Sequence, residues 1–200
     1  MHTIDEIPES QVVVAFLHAE IDSPTRGKCI LPRLAAIGRG RKLIDVPIYD
    51  DSENKLRSDV LGRTSDHGYR AGLFIHFPET ISWQRAVLNR QELDEVRYIN
   101  HAKWLALSGD TGKASDAANR INHGFQGSDL LPKILATANL LSERPSAVEI
   151  ILVSIDSSTC PVTLEGNTRL TAYLMQSSLT ELSVIIGFSP ELTKWLKRRF

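Results

Sequence analysis

Apolar positions recur at two different spacings in this chain, and the spacing changes near residue 145. Leu93, Val96, Ile99, Ala102 and Leu105 return every three or four residues, the period of one helix face. Asn89 with Glu92 three residues on has the form of a capped start. Ser108-Gly109 has the form of a stop. A helix over 90–108 is therefore predicted. A second, short helix is expected over 114–122. A third is expected from Asp129 to about Ser142, capped by Ser128, with Ile134, Leu135, Ala138 and Leu141 on one face. Pro132 falls in its first turn, where a missing N–H costs least.

After Pro145 the residues become β-branched. Residues 148–155 (VEIILVSI) read as a buried strand, 161–164 as a short second strand and 182–186 (LSVII) as a third. A helix is expected between the last two, from about Asn167 to Ser177. Another follows from Ser189-Pro190 to Lys197, with Ser as cap and Pro at the first helical position. Interleaved strands and helices imply an α/β layer, within a fold of α+β class.

The first part of the chain is less regular. Residues 11–21 (QVVVAFLHAEI) form an apolar run too short for periodicity to separate a strand from a helix. Residues 22–45 mix Pro and Gly with Arg26, Lys28, Arg33, Arg39, Arg41 and Lys42, and a helix is expected only over 31–37, stopped by Gly38 and Gly40. Residues 46–80 read as irregular apart from apolar stretches at 46–49 and 73–77, because Gly62, Gly68 and Gly72 break any period. The expected organisation is a helical and irregular region over 1–127 packed on an α/β module over 128–200, as one compact body.

Composition narrows the classes. Hydrophobic residues make up 42% and charged residues 24%, ordinary for a soluble globular chain and against disorder. The net charge of -1, from 23 basic and 24 acidic residues, excludes a general polyanion binder. Nucleic-acid binding needs a local basic patch, for which 26–42 is the best stretch. Basic residues at the chain end, from Lys194 to Arg199, complement a helix dipole. Two cysteines, Cys29 and Cys160, are too few for a disulfide framework and lack metal-ligand spacing; they are expected to be buried thiols in a reducing compartment. No metal site is expected from His67 or His76. The opening MHTIDEIPES is acidic and has no apolar region of signal-peptide length, and no run is long enough to span a membrane. A cytoplasmic location without a membrane partner is expected.

The stretch with most chemical content is Thr163-Leu164-Glu165-Gly166-Asn167-Thr168-Arg169-Leu170-Thr171-Ala172-Tyr173. An apolar strand runs into Glu-Gly and directly into a helix. Glycine permits positive φ and close approach of a ligand. The first N–H groups of a helix lack intrahelical acceptors and carry partial positive charge, which suits a phosphate. Arg169 lies in the first turn and can add a bidentate charged contact. Thr168 offers a hydroxyl and Asn167 an amide. Glu165 can hold Mg²⁺ beside a triphosphate or act as a general base; it can equally cap backbone N–H groups or pair with Arg169.

This G-x-x-R-x-x-A string after a strand resembles the second box of the ParB N-terminal domain and the corresponding turn of sulfiredoxins. The resemblance covers roughly the last third of the chain. It implies a ParB/sulfiredoxin-like module with a nucleotide-phosphate site at Gly166, Asn167, Thr168 and Arg169, and Mg²⁺ with a nucleoside triphosphate as cofactor. NTP hydrolysis or phosphotransfer is the implied activity, with Glu165 as the catalytic residue. The alternatives are a non-enzymatic DNA- or RNA-binding regulator of the plasmid- or phage-associated kind, and thirdly a ParB-like nuclease. Asn167 stands where sulfiredoxins carry a cysteine, which points away from cysteine reduction.

Two further signals are weaker. Gly112-Lys113 suggests a phosphate loop, but Leu107 stands where its first glycine belongs and Ala114 follows the lysine, so that reading is rejected. Arg57, Arg63, Arg70 and His76 cluster in the irregular segment, where they could contact phosphate from a lid or simply be solvated.

Overall fold

The computed structural model describes residues 1–143 and 149–198. The chain divides into two compact units, one over 7–79 and the other made of 1–6 with 80–200. The boundary expected at 127/128 falls inside the second of these, so the strands and helices just before residue 128 belong with the C-terminal module.

The unit over 7–79 is helical. Helix α1 (Glu9–Ile21) settles the ambiguous apolar run, burying Val12, Val13, Phe16, Leu17, Glu20 and Ile21 along one face. These residues recur at three- and four-residue intervals, which a strand cannot bring to one side. Helix α2 (Gly27–Ala36) is longer than expected and contains Pro32. Helix α3 (Lys42–Asp45) is a single turn.

The expectation of irregular structure over 46–80 is overturned. Helix α4 spans Asp51–Leu61, with the Asp50 side chain accepting from the Glu53 amide at its start and Gly62 in the left-handed region at its end. Helix α5 (Ala71–Phe74) takes up the second apolar stretch. The α4 pattern is hidden because its inward face includes an arginine. Arg57 is 0% exposed. Its Nη1 donates to the Leu43 carbonyl at 3.0 Å and to Glu53 at 3.2 Å; its Nη2 donates to the Ile48 carbonyl at 2.5 Å and to Asn54 Oδ1 at 2.6 Å. The cation is thus fully desolvated yet held by four acceptors, as a buried charge requires. A second pair joins α1 to the segment before α5, where Arg70 makes two contacts with the buried Glu20, at 2.5 and 3.1 Å.

The other unit is built on a six-stranded mixed sheet in the order β1-β2-β6-β4-β5-β3. In chain order its elements are β1 (His2–Glu6), β2 (Ser82–Asn89), α6 (Arg90–Asp94), β3 (Arg97–Tyr98), α7 (Ala102–Ser108), α8 (Ala114–Asn122), α9 (Leu131–Glu143), β4 (Ile151–Ser154), β5 (Val162–Glu165), α10 (Asn167–Leu174), β6 (Glu181–Phe188) and α11 (Leu192–Lys197). The α+β class is as expected. Strand β6 lies parallel to β4 and antiparallel to β2, and β5 runs antiparallel to β4 and parallel to β3. One core joins the sheet residues Ala86, Leu88, Leu152, Val184 and Ile186 to α8, α9 and α10.

Several expectations need correction. The predicted helix over 90–108 is two short helices separated by β3. Its capping box at Asn89 and Glu92 is present, but Arg97 and Tyr98 leave the helix to pair with Val162 and Thr163. The ladder with β5 and full burial of Tyr98 outweigh local helix periodicity. Strands β1 and β2 have no counterpart among the predicted elements. The last helix starts at Leu192, with Glu191 rather than Ser189 at its cap. Cys160 is exposed and Cys29 half-buried, so neither is the buried thiol expected. The expected strand start at Val148, with Pro145 before it, and the basic Arg199 lie outside the described residues. Among the described residues no helix is long and apolar enough to cross a membrane.

Replacing Arg57 by Met deprives the Leu43 and Ile48 carbonyls, Asn54 and Glu53 of their guanidinium donor. Breaking one side of a buried charged network costs about 3–5 kcal/mol, so urea titration of R57M is expected to show an early transition in which the helical unit melts first.

Candidate functional site

Strand β5 delivers the chain to Gly166 with Val162, Thr163 and Leu164 buried and Glu165 at the rim. Gly166 has φ 103° and ψ 18° and serves as the N-cap of α10. A Cβ here would stand 3.2 and 3.3 Å from two Ile150 side-chain carbons and 3.4 Å from Arg169 Nη2. The positive φ strains any other residue here, and a side chain would also press on Ile150 and Arg169. The Leu170 amide donates to the Gly166 carbonyl at 2.8 Å, the first turn of the helix. No side-chain hydrogen bond caps that start, and the positive end of the helix dipole lies there.

The inner face of α10 fixes this opening. Leu170, Thr171, Ala172, Tyr173 and Leu174 are buried. The Thr171 hydroxyl donates to the Asn167 carbonyl at 2.7 Å. The Tyr98 hydroxyl, 2.5 Å from Thr171 Oγ1, then donates to it. Tyr98 packs on Trp104 with ring centroids 4.8 Å apart. Burial pushes the pKa of the Tyr98 hydroxyl upward. A chain of two hydroxyls thus ties β3 to the first turn of α10. Sequence reasoning missed Tyr98, because its stretch carries a helical period and its partner lies 73 residues away.

On the outer face Glu165, Asn167, Thr168 and Arg169 are all half-buried and reachable from solvent. The Arg169 guanidinium lies over the Gly166 turn and pairs with Glu165, four residues before it. Of the roles left open for Glu165, pairing with Arg169 is the one seen. An anion docking at the turn meets two sources of positive potential, the helix end and Arg169, and one opposing carboxylate. To serve the anion, Arg169 has to share or leave Glu165. The structure thus brings together all five residues singled out in the sequence. Among the described residues no group of three or more His, Cys, Asp or Glu is arranged to hold a metal ion.

Three of the four residues considered for a lid have other partners inside the 7–79 unit. Arg57 serves the network described above. Arg63 donates to Glu9 at 2.7 Å and to the Pro78 carbonyl at 2.6 Å, over the Phe74 and Phe77 rings. Arg70 holds Glu20. His76 is exposed at φ 62°.

Neutralising Glu165 removes the carboxylate that competes with an incoming anion. In a sulfate titration followed by melting temperature, Glu165→Gln is expected to bind on the order of tenfold tighter than the wild type, about 1.4 kcal/mol. Equal or weaker binding contradicts the arrangement described. Comparison of the chain with protein-family models, with curated proteins and with solved structures finds no match.

Proposed function

We propose that this chain binds the phosphate groups of a nucleotide at the turn between β5 and α10. The observation that carries the reading is the uncapped start of α10 at a left-handed glycine, with a guanidinium folded over it. Backbone amides at a helix opening and a planar cation supply the two kinds of donor that phosphate oxygens accept best. The resemblance of Gly166, Arg169 and Ala172 to the ParB and sulfiredoxin turn supports a nucleotide as the source of that phosphate. So does the order strand, turn, helix, strand around them.

In this reading Gly166, Asn167 and Thr168 contribute the anion seat, and Arg169 neutralises charge on it. Glu165 would be the residue to hold a Mg²⁺ carried by the triphosphate, since Mg²⁺ is commonly held through one or two carboxylates together with phosphate oxygens. Such an ion would supply charge neutralisation on the phosphates. Phosphoryl transfer depends mainly on positioning and charge neutralisation, so hydrolysis or transfer of the terminal phosphate is the chemistry proposed for the site.

The test is thermal stabilisation by a panel of ribonucleoside di- and triphosphates with Mg²⁺. At least one is expected to raise the melting temperature of the wild type, by the mass-action relation for a ligand that binds only the folded state. Arg169→Ala is expected to abolish the shift while folding normally. A wild type that responds to no nucleotide, or an Arg169→Ala variant that responds equally, removes the reading.

A further inference from the structure

The 7–79 unit carries a concentration of positive charge that no part of the phosphate-site reading uses. Between Asp22 and Asp45 there are six cations, Arg26, Lys28, Arg33, Arg39, Arg41 and Lys42, and no acidic residue. Helix α2 and the turn after it carry them. Gly27, Ile30 and Leu34 face inward on α2. Lys28, Leu31, Pro32 and Ala35 are exposed and recur at three- and four-residue spacing, so they share its outer face. Past the helix end the Arg39 amide folds back onto the Leu34 carbonyl at 2.9 Å, through Gly38 at φ 67°. This turn presents Arg39 at the end of α2, and Lys42 opens α3 directly after it.

The six cations differ in how they are used. Arg41 takes both flanking acids. It makes two contacts with Asp22, at 2.5 and 2.8 Å, and one with Asp45 at 2.7 Å. Its hydrogen bonds hold the Asp22 carboxyl below the usual carboxylate range. Arg33 donates to the carbonyls of Cys29 and His67. Arg26 lies 3.8 Å from Glu20. The side chains of Lys28, Arg39 and Lys42 are exposed and have no partner among the described residues. Arg41 therefore both clasps the base of this excursion and engages the two acids that could have neutralised its neighbours. The result is a helix face and turn with three uncommitted cations and small or apolar residues between them.

We infer that the outer face of α2 and the Arg39–Lys42 turn form a binding surface for a nucleic-acid backbone, with Lys28, Arg39 and Lys42 contacting phosphates. Long, exposed side chains suit a regular line of phosphates, and Leu31, Pro32 and Ala35 between them add no acidic group to repel it. Affinity arises from counterion release and depends strongly on salt. Three contacts to duplex DNA imply a slope of about −2.7 for log K against log salt, and hence about fortyfold weaker binding at about 200 mM than at about 50 mM salt.

The experiment is fluorescence anisotropy of a short labelled DNA duplex with the full chain across that salt range. A second arm uses Lys28→Gln/Arg39→Gln/Lys42→Gln, which removes no side-chain hydrogen bond or core residue, with its fold checked by circular dichroism. The wild type is expected to bind with the stated slope, the triple variant to bind at least tenfold more weakly, and Arg169→Ala to bind like the wild type. No binding at low salt overturns the inference, as does a triple variant that binds unchanged. Loss on Arg169→Ala in place of the triple variant moves the contact to the α10 turn and also overturns it. Binding to phosphatidylserine vesicles without binding to the duplex would overturn it too, assigning the surface to a membrane instead.

Discussion

The chain passes from β5 to α10 through a backbone conformation, φ 103°, that only glycine adopts without strain. Much of the surrounding unit is arranged around that passage. Ile150 closes one side of Gly166 and the Arg169 guanidinium another. Tyr98 and Thr171 hold the first turn of the helix from below, and the buried face of α10 fastens it to the core shared with α8 and α9. With these constraints the helix opens at a fixed place, and Glu165 and Arg169 pair beside the Gly166 turn. A side chain at 166 would disturb all of this at once, which is why the local motif and the sheet topology describe the same feature at two scales.

Arginine is used in two opposite ways in this protein. Arg57, Arg63 and Arg70 are structural: each commits its donors to backbone carbonyls or to an acid of its own unit. Arg57 occupies an inward position of a helix where a hydrophobic residue is the rule, at a desolvation cost that four acceptors offset. Arg169 pairs with Glu165 at a half-buried rim. Lys28, Arg39 and Lys42 stand in solvent. The near-zero net charge of the chain therefore hides a separation between cations that build the fold and cations left to meet something else.

The legibility of the sequence follows the range of the forces involved. Elements decided by neighbours in the chain are readable: the capping box at Asn89 and Glu92, helix α8, and the run from β5 through Gly166 to α10 and β6, each to within a few residues. Elements decided by distant partners are not. Residues 97 and 98 belong to a strand because β5 is there to receive them, far later in the chain. Strand β1 is exposed along its whole length and carries no apolar alternation. Strand β2 mixes buried and half-buried positions, and its partner β6 lies at the other end of the chain. Helix α4 is hidden because a charged residue fills its core position. The five residues of the candidate site are legible because the motif is contiguous. Tyr98, which steadies it, is not, since nothing local marks a tyrosine as the support of a helix start in another part of the chain.

Whether the amides at the opening of α10 and Arg169 together seat an anion is tested most directly by a ¹H–¹⁵N correlation spectrum of the labelled protein titrated with pyrophosphate. Saturable shifts are expected at the amides of Gly166, Asn167 and Thr168 and at the Arg169 side chain. Shifts confined to other segments, or none at these four residues, would contradict it.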